Sequence, residues 1–246
     1  MEGTLTFLSL AFFLIALVYS SVGFGGGSSY LALLAILHVD YLITRPTALL
    51  CNIIVVTGGT YIFYKERKLN LSRSLPFVAA SIPLAFAGGY WRIDESTFFL
   101  VLGSSLLVAS VFLWIQPPKN HRIKSTNTLL NILLGGGIGF LSGLVGIGGG
   151  IFLSPILHLL RWDDAKKIAA LSSFFILVNS ISGLTGQLSQ DINIDWSFIL
   201  PLLVAVFAGG QIGSRLGAQK FNVLYVKRTT AVVIFAAAIN ILKEHL

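Results

Sequence analysis

The chain has 246 residues, of which 55% are apolar and only 11% are charged, and its formal net charge is +7. Soluble domains typically carry about 25% charged residues, so this composition excludes a water-soluble enzyme, a nucleic-acid-binding protein and a disordered chain. The surplus of basic residues belongs in loops beside a membrane, where it sets the orientation of the chain. The sequence therefore predicts an all-α, polytopic membrane protein.

Charged and turn-forming residues divide the chain into ten apolar segments. They run at about 4–22, 28–39, 46–64, 74–91, 96–115, 128–145, 151–160, 168–187, 196–213 and 222–242. A spanning helix needs about 20 mostly apolar residues, so segments 28–39 and 151–160 are too short to cross comfortably. The first segment carries Glu2 and no convincing cleavage site, so we interpret it as a retained helix and not as a signal peptide. The prediction is about eight full spans plus two short helices, each of which follows a glycine-rich break.

The sequence on the two sides of a polar segment repeats. Residues 116–127 are polar and contain two prolines, which is typical of a linker. Three landmarks recur in the same order across it: Gly23–Gly27 and Gly146–Gly150, Asp40 and Asp163, and Ala87–Gly89 and Ala208–Gly210, at shifts of 123, 123 and 121 residues. The chain therefore divides into a first repeat (1–115), a linker (116–127) and a second repeat (128–246).

The distribution of Lys and Arg tests this division. With five segments in each repeat, loops 65–73, 116–127, 161–167 and 211–221 face one side and hold 12 of them, whereas the loops of the other side hold 3. With four crossing segments in each repeat, the split would be 8 to 7. Because positive loops favour the cytoplasm, we expect both termini outside, the linker in the cytoplasm and the second repeat inverted relative to the first.

The glycine-rich breaks are the candidate substrate site. Paired, glycine-broken short segments in inverted repeats are typical of a transporter's binding site, because non-helical backbone at membrane depth must be satisfied by protein or by a water-filled cavity. The helix after each break presents free N–H groups and the positive end of its dipole, which suits an anion. The expected binding residues are Gly25, Gly26, Gly27, Ser28 and Ser29 at the first break and Gly148, Gly149 and Gly150 at the second. The alternative is that these glycines serve only close helix packing.

Polar residues within the long segments extend this site. Asn52 and Thr57 lie five residues apart, and Ser172 and Asn179 lie seven apart, so we expect each pair to share a helix face near the substrate. A buried amide needs a partner or a ligand, and hydrogen bonds between helices are the alternative explanation. If Asn52 binds substrate, Asn52→Ala should express normally and transport poorly.

Two arginines at segment ends are expected to gate the site or to attract anions. Arg45 precedes Pro46 at the predicted start of a helix. Arg215 follows the glycine-rich end of segment 196–213, from which its side chain can reach the cytoplasmic interface.

Acidic, cysteine and histidine residues indicate what the site lacks. All ten Asp and Glu lie at the termini or between segments, which argues against a cation site or a proton relay within the spans. Cys51 is the single cysteine, and the histidines show no ligand spacing. We therefore expect neither a catalytic site nor a metal or other cofactor.

Several motifs resemble the TauE/SafE family of anion transporters: the glycine run Gly23–Gly27, its second copy within Gly143–Gly150, and the duplicated Ala-Gly-Gly segments at 87–89 and 208–210. The resemblance covers about residues 8–242. It implies transport, with export favoured, of sulfite, of sulfonates such as sulfoacetate or of other small organic anions across the bacterial inner membrane. The residues by themselves support only a small anion.

Together these observations lead to one hypothesis and several rivals. The hypothesis is a secondary transporter that exports sulfite or an organosulfonate by alternating access between inverted repeats. The rivals are an anion channel of the same fold, a transporter of a non-sulfur organic anion, a membrane-embedded enzyme and a scaffold subunit. The expected partners are the small anion and the lipid bilayer, without nucleic acid, and a homodimer is left open.

Overall fold

The computed structural model describes residues 2–115, 127–190, 194–220 and 223–245. Within these ranges the chain forms ten α-helices and no strand. They are α1 (Glu2–Ser20), α2 (Gly27–Ile36), α3 (Tyr41–Lys65), α4 (Leu71–Tyr90), α5 (Glu95–Trp114), α6 (Thr128–Val145), α7 (Gly150–Leu159), α8 (Ala165–Leu188), α9 (Trp196–Lys220) and α10 (Val223–His245). The all-α class is confirmed, whereas residues 116–126 of the predicted linker lie outside the described residues.

Eight of the described helices are long and apolar enough to cross a membrane, and α2 and α7 are the two shorter ones. Each short helix has 10 residues. At 1.5 Å per residue this is about 15 Å, roughly half of the 30 Å hydrocarbon core. The prediction of eight full spans plus two short helices after glycine breaks is confirmed.

Two helices extend furthest beyond their predicted segments. α3 begins at Tyr41, because Asp40 caps it by accepting a hydrogen bond from the N–H of Leu42, so Arg45 lies inside the helix. α9 continues to Lys220 and contains Arg215. The predictions that Arg45 precedes a helix and that Arg215 follows one are wrong, because hydropathy marks the apolar stretch whereas capping decides where a helix begins.

Several acidic residues between the segments are helix caps. Asp94 accepts hydrogen bonds from the backbone N–H and the hydroxyl of Thr97, which lower the pKa of Asp94. Asp164 accepts from the N–H of Lys167 at the start of α8. The capping counterpart of Asp40 is therefore Asp164, at a shift of 124, and not Asp163 as the sequence suggested.

Helix contacts repeat with a shift of five helices. α1 packs on α9 as α6 packs on α4, and α9 contacts α3 as α4 contacts α8. The halves also meet where α3 packs on α8 and α5 packs on α10. These contacts are what a duplicated five-helix unit requires. The opposite orientation of the two repeats in a membrane stays a prediction.

Glycines allow two of these helix pairs to pack closely. On α6, a Cβ at Gly139 or Gly143 would collide with carbonyl oxygens of α4, and on α9 a Cβ at Gly209 or Gly213 would collide with those of α1. Gly88 of α4 faces a carbonyl of α6 in the same way. Small residues four apart let membrane helices approach each other, so packing explains the duplicated Ala-Gly-Gly segments.

Candidate functional site

Each glycine break ends at the left-handed N-cap of a short helix. Gly26 precedes α2 with a φ of 93°, and Gly149 precedes α7 with a φ of 81°. Glycine adopts these angles without the steric cost that a side chain would bring. Both N-caps are buried, so the N-termini of α2 and α7 open inside the protein, as the sequence predicted.

The buried amide of Asn52, at the middle of α3, joins the two breaks. Its Oδ1 accepts a hydrogen bond from the N–H of Gly27 at 2.9 Å, and its Nδ2 donates one to the carbonyl oxygen of Ile147 at 3.1 Å. A Cβ on Gly27 would lie 2.7 Å from that same carbonyl oxygen. The two breaks are therefore in contact, and Asn52 fastens the start of α2 to the second break.

Ile176 stands where a counterpart of Asn52 would be. It follows Asn52 by 124 residues, the shift that relates the helix caps. A Cβ on Gly25 or on Gly148 would approach both side chains, so the two lie together between the breaks. Because Ile176 has no polar atom, it cannot cap Gly150 as Asn52 caps Gly27.

One of the two predicted polar pairs shares a helix face. Ser172 and Asn179 are both buried on α8, since seven residues complete nearly two turns. Asn52 is buried, whereas Thr57 is exposed and donates to the carbonyl of Ile53 in its own helix. Pairing Thr57 with Asn52 is wrong, because five residues rotate a helix by about 140° beyond a full turn.

Buried hydroxyls without partners flank the second break. The Oγ atoms of Ser142 and Ser180 have no hydrogen-bond partner in the part of the chain that the structure describes, and both residues are 0% exposed. A Cβ on Gly148 would lie 3.1 Å from Ser180 Oγ, and one on Gly149 would lie 3.4 Å from Ser142 Cβ. Neither serine was among the binding residues predicted from the sequence. The eight-residue spacing from Ser172 to Ser180, which places both on one face of α8, was the available signal.

Hydroxyls at the first break, in contrast, bond to each other. The hydroxyls of Tyr19 and Ser29 are hydrogen-bonded, and Ser28 and Ser29 are buried at the start of α2. Tyr19 precedes Ser142 by 123 residues and so occupies the corresponding position. These bonds satisfy Tyr19 and Ser29, whereas the buried hydroxyl of Tyr30, beside Gly26, has no hydrogen-bond partner among the described residues.

Arg45 is a buried cation whose backbone contacts the second break. It is 3% exposed, and its Nε and Nη2 have no hydrogen-bond partner among the described residues. Its guanidinium carbon lies 6.0 Å from the centre of the Phe98 ring. A Cβ on Gly146 would lie 3.1 Å from the Arg45 carbonyl oxygen, just as one on Gly23 would lie 3.2 Å from that of Ala169. The counterpart of Arg45 is therefore uncharged.

Arg215 and Asp163 are two further residues that the sequence singled out, and both lie outside the glycine breaks. Arg215 is exposed on α9, whereas both breaks are buried. Asp163 is buried and pairs with Arg73 of α4 at 2.5 Å and with Lys167 of α8 at 2.9 Å. Since Arg73 also stacks on Trp162 at 4.7 Å, this cluster ties the first repeat to the loop between α7 and α8.

A cavity of about 740 Å³ lies between α1, α2 and α10. Its lining is almost wholly apolar, with Tyr19, Ser29 and two threonines as the exceptions. Such a lining does not suit a small anion, which needs donors or positive charge. Among the described residues there is also no group of three or more His, Cys, Asp or Glu that could hold a metal ion.

Comparisons with known proteins identify relatives along nearly the whole chain. The family described as "Sulfite exporter TauE/SafE" matches residues 8–241. "Probable membrane transporter protein y4hK" of Sinorhizobium fredii is 31% identical, over 96% of this chain and 97% of that protein. "Probable membrane transporter protein YunE" of Bacillus subtilis is 24% identical over 88% of this chain and 90% of that one. No solved structure matches this chain significantly.

Proposed function

Since the chain belongs to the TauE/SafE family of membrane transporters, we propose that it is a secondary transporter that exports a small anion. The substrate class is sulfite or an organosulfonate such as sulfoacetate. The family's description supports sulfur, whereas the relatives' names state membrane transport without a substrate. The protein would lie in the bacterial inner membrane with both termini outside and residues 116–127 in the cytoplasm.

One observation carries the choice of an anion: a buried positive charge has nitrogen atoms without a hydrogen-bond partner. Arg45 is 3% exposed, its backbone contacts Gly146 of the second break, and its Nε and Nη2 have no partner among the described residues. A charge buried in a membrane protein is costly unless it is paired, and it usually marks a substrate or ion pathway. An anionic substrate would supply the missing partner.

The anion would bind between the repeats, at the glycine breaks. Gly25–Gly27 with Ser28 and Ser29, and Gly148–Gly150, bring the buried N-termini of α2 and α7 to the same region. Ser172 and Asn179 line α8 beside them, and Arg215 would act on anions at the cytoplasmic interface. Movement of one repeat against the other would then expose the site to each side in turn.

Flux measurements on purified protein in liposomes test this proposal. Radiolabelled sulfite and sulfoacetate are offered with sulfate, a carboxylate of similar size and a potassium control. We expect saturable uptake of at least one sulfur oxyanion, which unlabelled anion on the opposite side accelerates, because alternating access exchanges substrate across the membrane.

Three outcomes would contradict the proposal. Uptake of potassium without uptake of any anion would show that the substrate is not an anion. Single-channel currents without acceleration by the opposite side would identify an anion channel of the same fold. Preference for the carboxylate over both sulfur anions would leave an anion transporter with a non-sulfur substrate.

A further inference from the structure

The two breaks have the same backbone conformation, but they differ in which polar groups are left without a hydrogen-bond partner. At the first, the N–H of Gly27 is bonded to Asn52 Oδ1, and the hydroxyls of Tyr19 and Ser29 are bonded to each other. At the second, the side chain in the place of Asn52 is Ile176, and the residue in the place of Tyr19 is Ser142. The polar groups that close the first break are therefore absent from the second.

More donors are without partners at the N-terminus of α7 than at that of α2, where the described residues leave the N–H of Ser28 and the hydroxyl of Tyr30 unbonded. The N–H groups of Phe152 and Leu153 both bond to the carbonyl of Gly149, so those of Gly150 and Ile151 have no bond among the described residues. Ser180 Oγ lies beside Gly148, and Ser142 lies beside Gly149. Both hydroxyls are fully buried and without partners in the described ranges.

Leaving such groups unbonded costs free energy, so their persistence points to a ligand. A buried hydroxyl without a partner loses its hydrogen bonds to water and gains none in the protein. Two of them around one helix N-terminus, where the helix dipole adds positive potential, form a donor set for a negatively charged group with several oxygen atoms.

We propose that a small oxyanion, such as sulfite or the head group of a sulfonate, binds at the N-terminus of α7. The N–H groups of Gly150 and Ile151 and the hydroxyls of Ser142 and Ser180 donate to its oxygen atoms. The first break is the structural counterpart, in which Asn52 occupies the N–H of Gly27 and Ser29 bonds to Tyr19. This inference rests on the proposed anion transport and narrows its site from two breaks to one.

Serine variants of detergent-purified protein test the site by binding and by thermal stability. Ser142→Ala and Ser180→Ala should each weaken sulfite binding about tenfold, since a hydrogen bond to a charged group is lost. Without sulfite both variants should melt at the same temperature as the wild type or higher, because a buried unbonded hydroxyl is removed. The rise in melting temperature that saturating sulfite gives the wild type should shrink in both. Ser180→Thr, which keeps a hydroxyl, should retain most of the binding.

Two matched variants distinguish the loss of this site from the general effect of removing a buried hydroxyl. Tyr19→Phe removes the corresponding hydroxyl of the first break. Ser173→Ala removes a buried hydroxyl of α8 that bonds to Thr60 Oγ1 at 2.9 Å. Both should lower thermal stability and leave the affinity for sulfite unchanged.

The outcomes distinguish this inference from the function on which it rests. If the wild type binds and transports sulfite or sulfoacetate while Ser142→Ala and Ser180→Ala bind normally, the site at α7 is wrong and the transporter stands. If Tyr19→Phe weakens binding as much as Ser142→Ala, the one-sided site is wrong. If the wild type neither binds nor moves any anion of the panel, the proposed function fails and this inference with it.

Discussion

The first and second glycine breaks have the same backbone conformation, but the polar side chains around them differ in how many are hydrogen-bonded. Each ends in a buried glycine N-cap with a φ near 90° and starts a ten-residue helix. Around the first, an amide and two hydroxyls are hydrogen-bonded within the protein, and only the Tyr30 hydroxyl lacks a partner among the described residues. Beside the second, the hydroxyls of Ser142 and Ser180 lack partners in the same ranges, and the backbone of the buried Arg45 contacts Gly146.

The difference indicates that the two breaks need not have the same role. Asn52 bonds to both breaks. The N–H of Gly27, at the N-terminus of α2, is therefore occupied by the side chain that joins the two breaks. The second break keeps its N-terminus available because Ile176 cannot bond to it. Two related halves thus provide one anchor and one candidate binding site.

The largest expected effect comes from removing the anchor. Asn52→Ala leaves the Gly27 N–H and the Ile147 carbonyl without partners, and each such group costs about 1–3 kcal/mol. We therefore expect a loss of about 2–6 kcal/mol in the free energy of unfolding, measured by thermal or denaturant unfolding in detergent. This replaces the expectation from sequence that the variant would express normally.

Asn179→Ala is the matched control for the anchor. Asn179 donates only to the carbonyl of Phe175 in its own helix at 2.8 Å, and its Oδ1 has no partner in the described part of the chain. Its replacement should change the stability by less than about 1 kcal/mol. Equal losses from the two variants would show that Asn52 does not join the breaks.

Removing the buried charge should affect transport next. Arg45→Gln should raise the sulfite concentration for half-maximal flux about tenfold or more, since hydrogen bonds to charged groups contribute about 1.5–3 kcal/mol. The measurement is concentration-dependent flux in liposomes. Arg92→Gln, which changes an exposed arginine outside the breaks, should leave the flux unchanged. Wild-type flux from Arg45→Gln would remove Arg45 from the anion site.

Replacing the N-cap glycines tests what the breaks share. Gly26→Ala and Gly149→Ala each put a side chain at a positive φ, which costs about 1–2 kcal/mol. The new Cβ would lie 2.8 Å from the Tyr30 ring in one and 2.9 Å from the Phe175 ring in the other. We expect similar falls in melting temperature. A fall in only one variant would show that the two backbones are not equivalent.

The smallest effect is expected at the ion cluster around Asp163. Asp163→Asn removes the charge between Arg73 and Lys167, whose side chains are 43% and 40% exposed. Exposed partners limit such pairs to about 1 kcal/mol, so a small fall in melting temperature, weaker at high salt, is expected. Asp40→Asn should be neutral because asparagine caps a helix as well as aspartate does. A larger fall in melting temperature for Asp40→Asn than for Asp163→Asn would show that the cap, and not the ion cluster, depends on the negative charge.

The sequence predicted the helices better than it predicted their ends or faces. Long apolar stretches and paired glycine runs predicted ten segments, because hydrophobic length and backbone freedom are local properties. The start of α3 was misplaced because Asp40 caps it ahead of Arg45 and Pro46. Thr57 was misplaced because its distance from Asn52 was judged by separation and not by helical rotation.

By itself, the sequence determined that this protein is helical, spans a membrane and interrupts its spans at two glycine breaks. Composition and spacing suffice for these conclusions, since they follow from the solvent and from the steric limits of the backbone. Only the tertiary structure decided that Asn52 reaches across 95 residues to Ile147, that Ser142 and Ser180 lie unbonded beside α7 and that Arg45 is buried. Such partnerships depend on which faces meet when the two halves pack, and no local pattern in the chain records them.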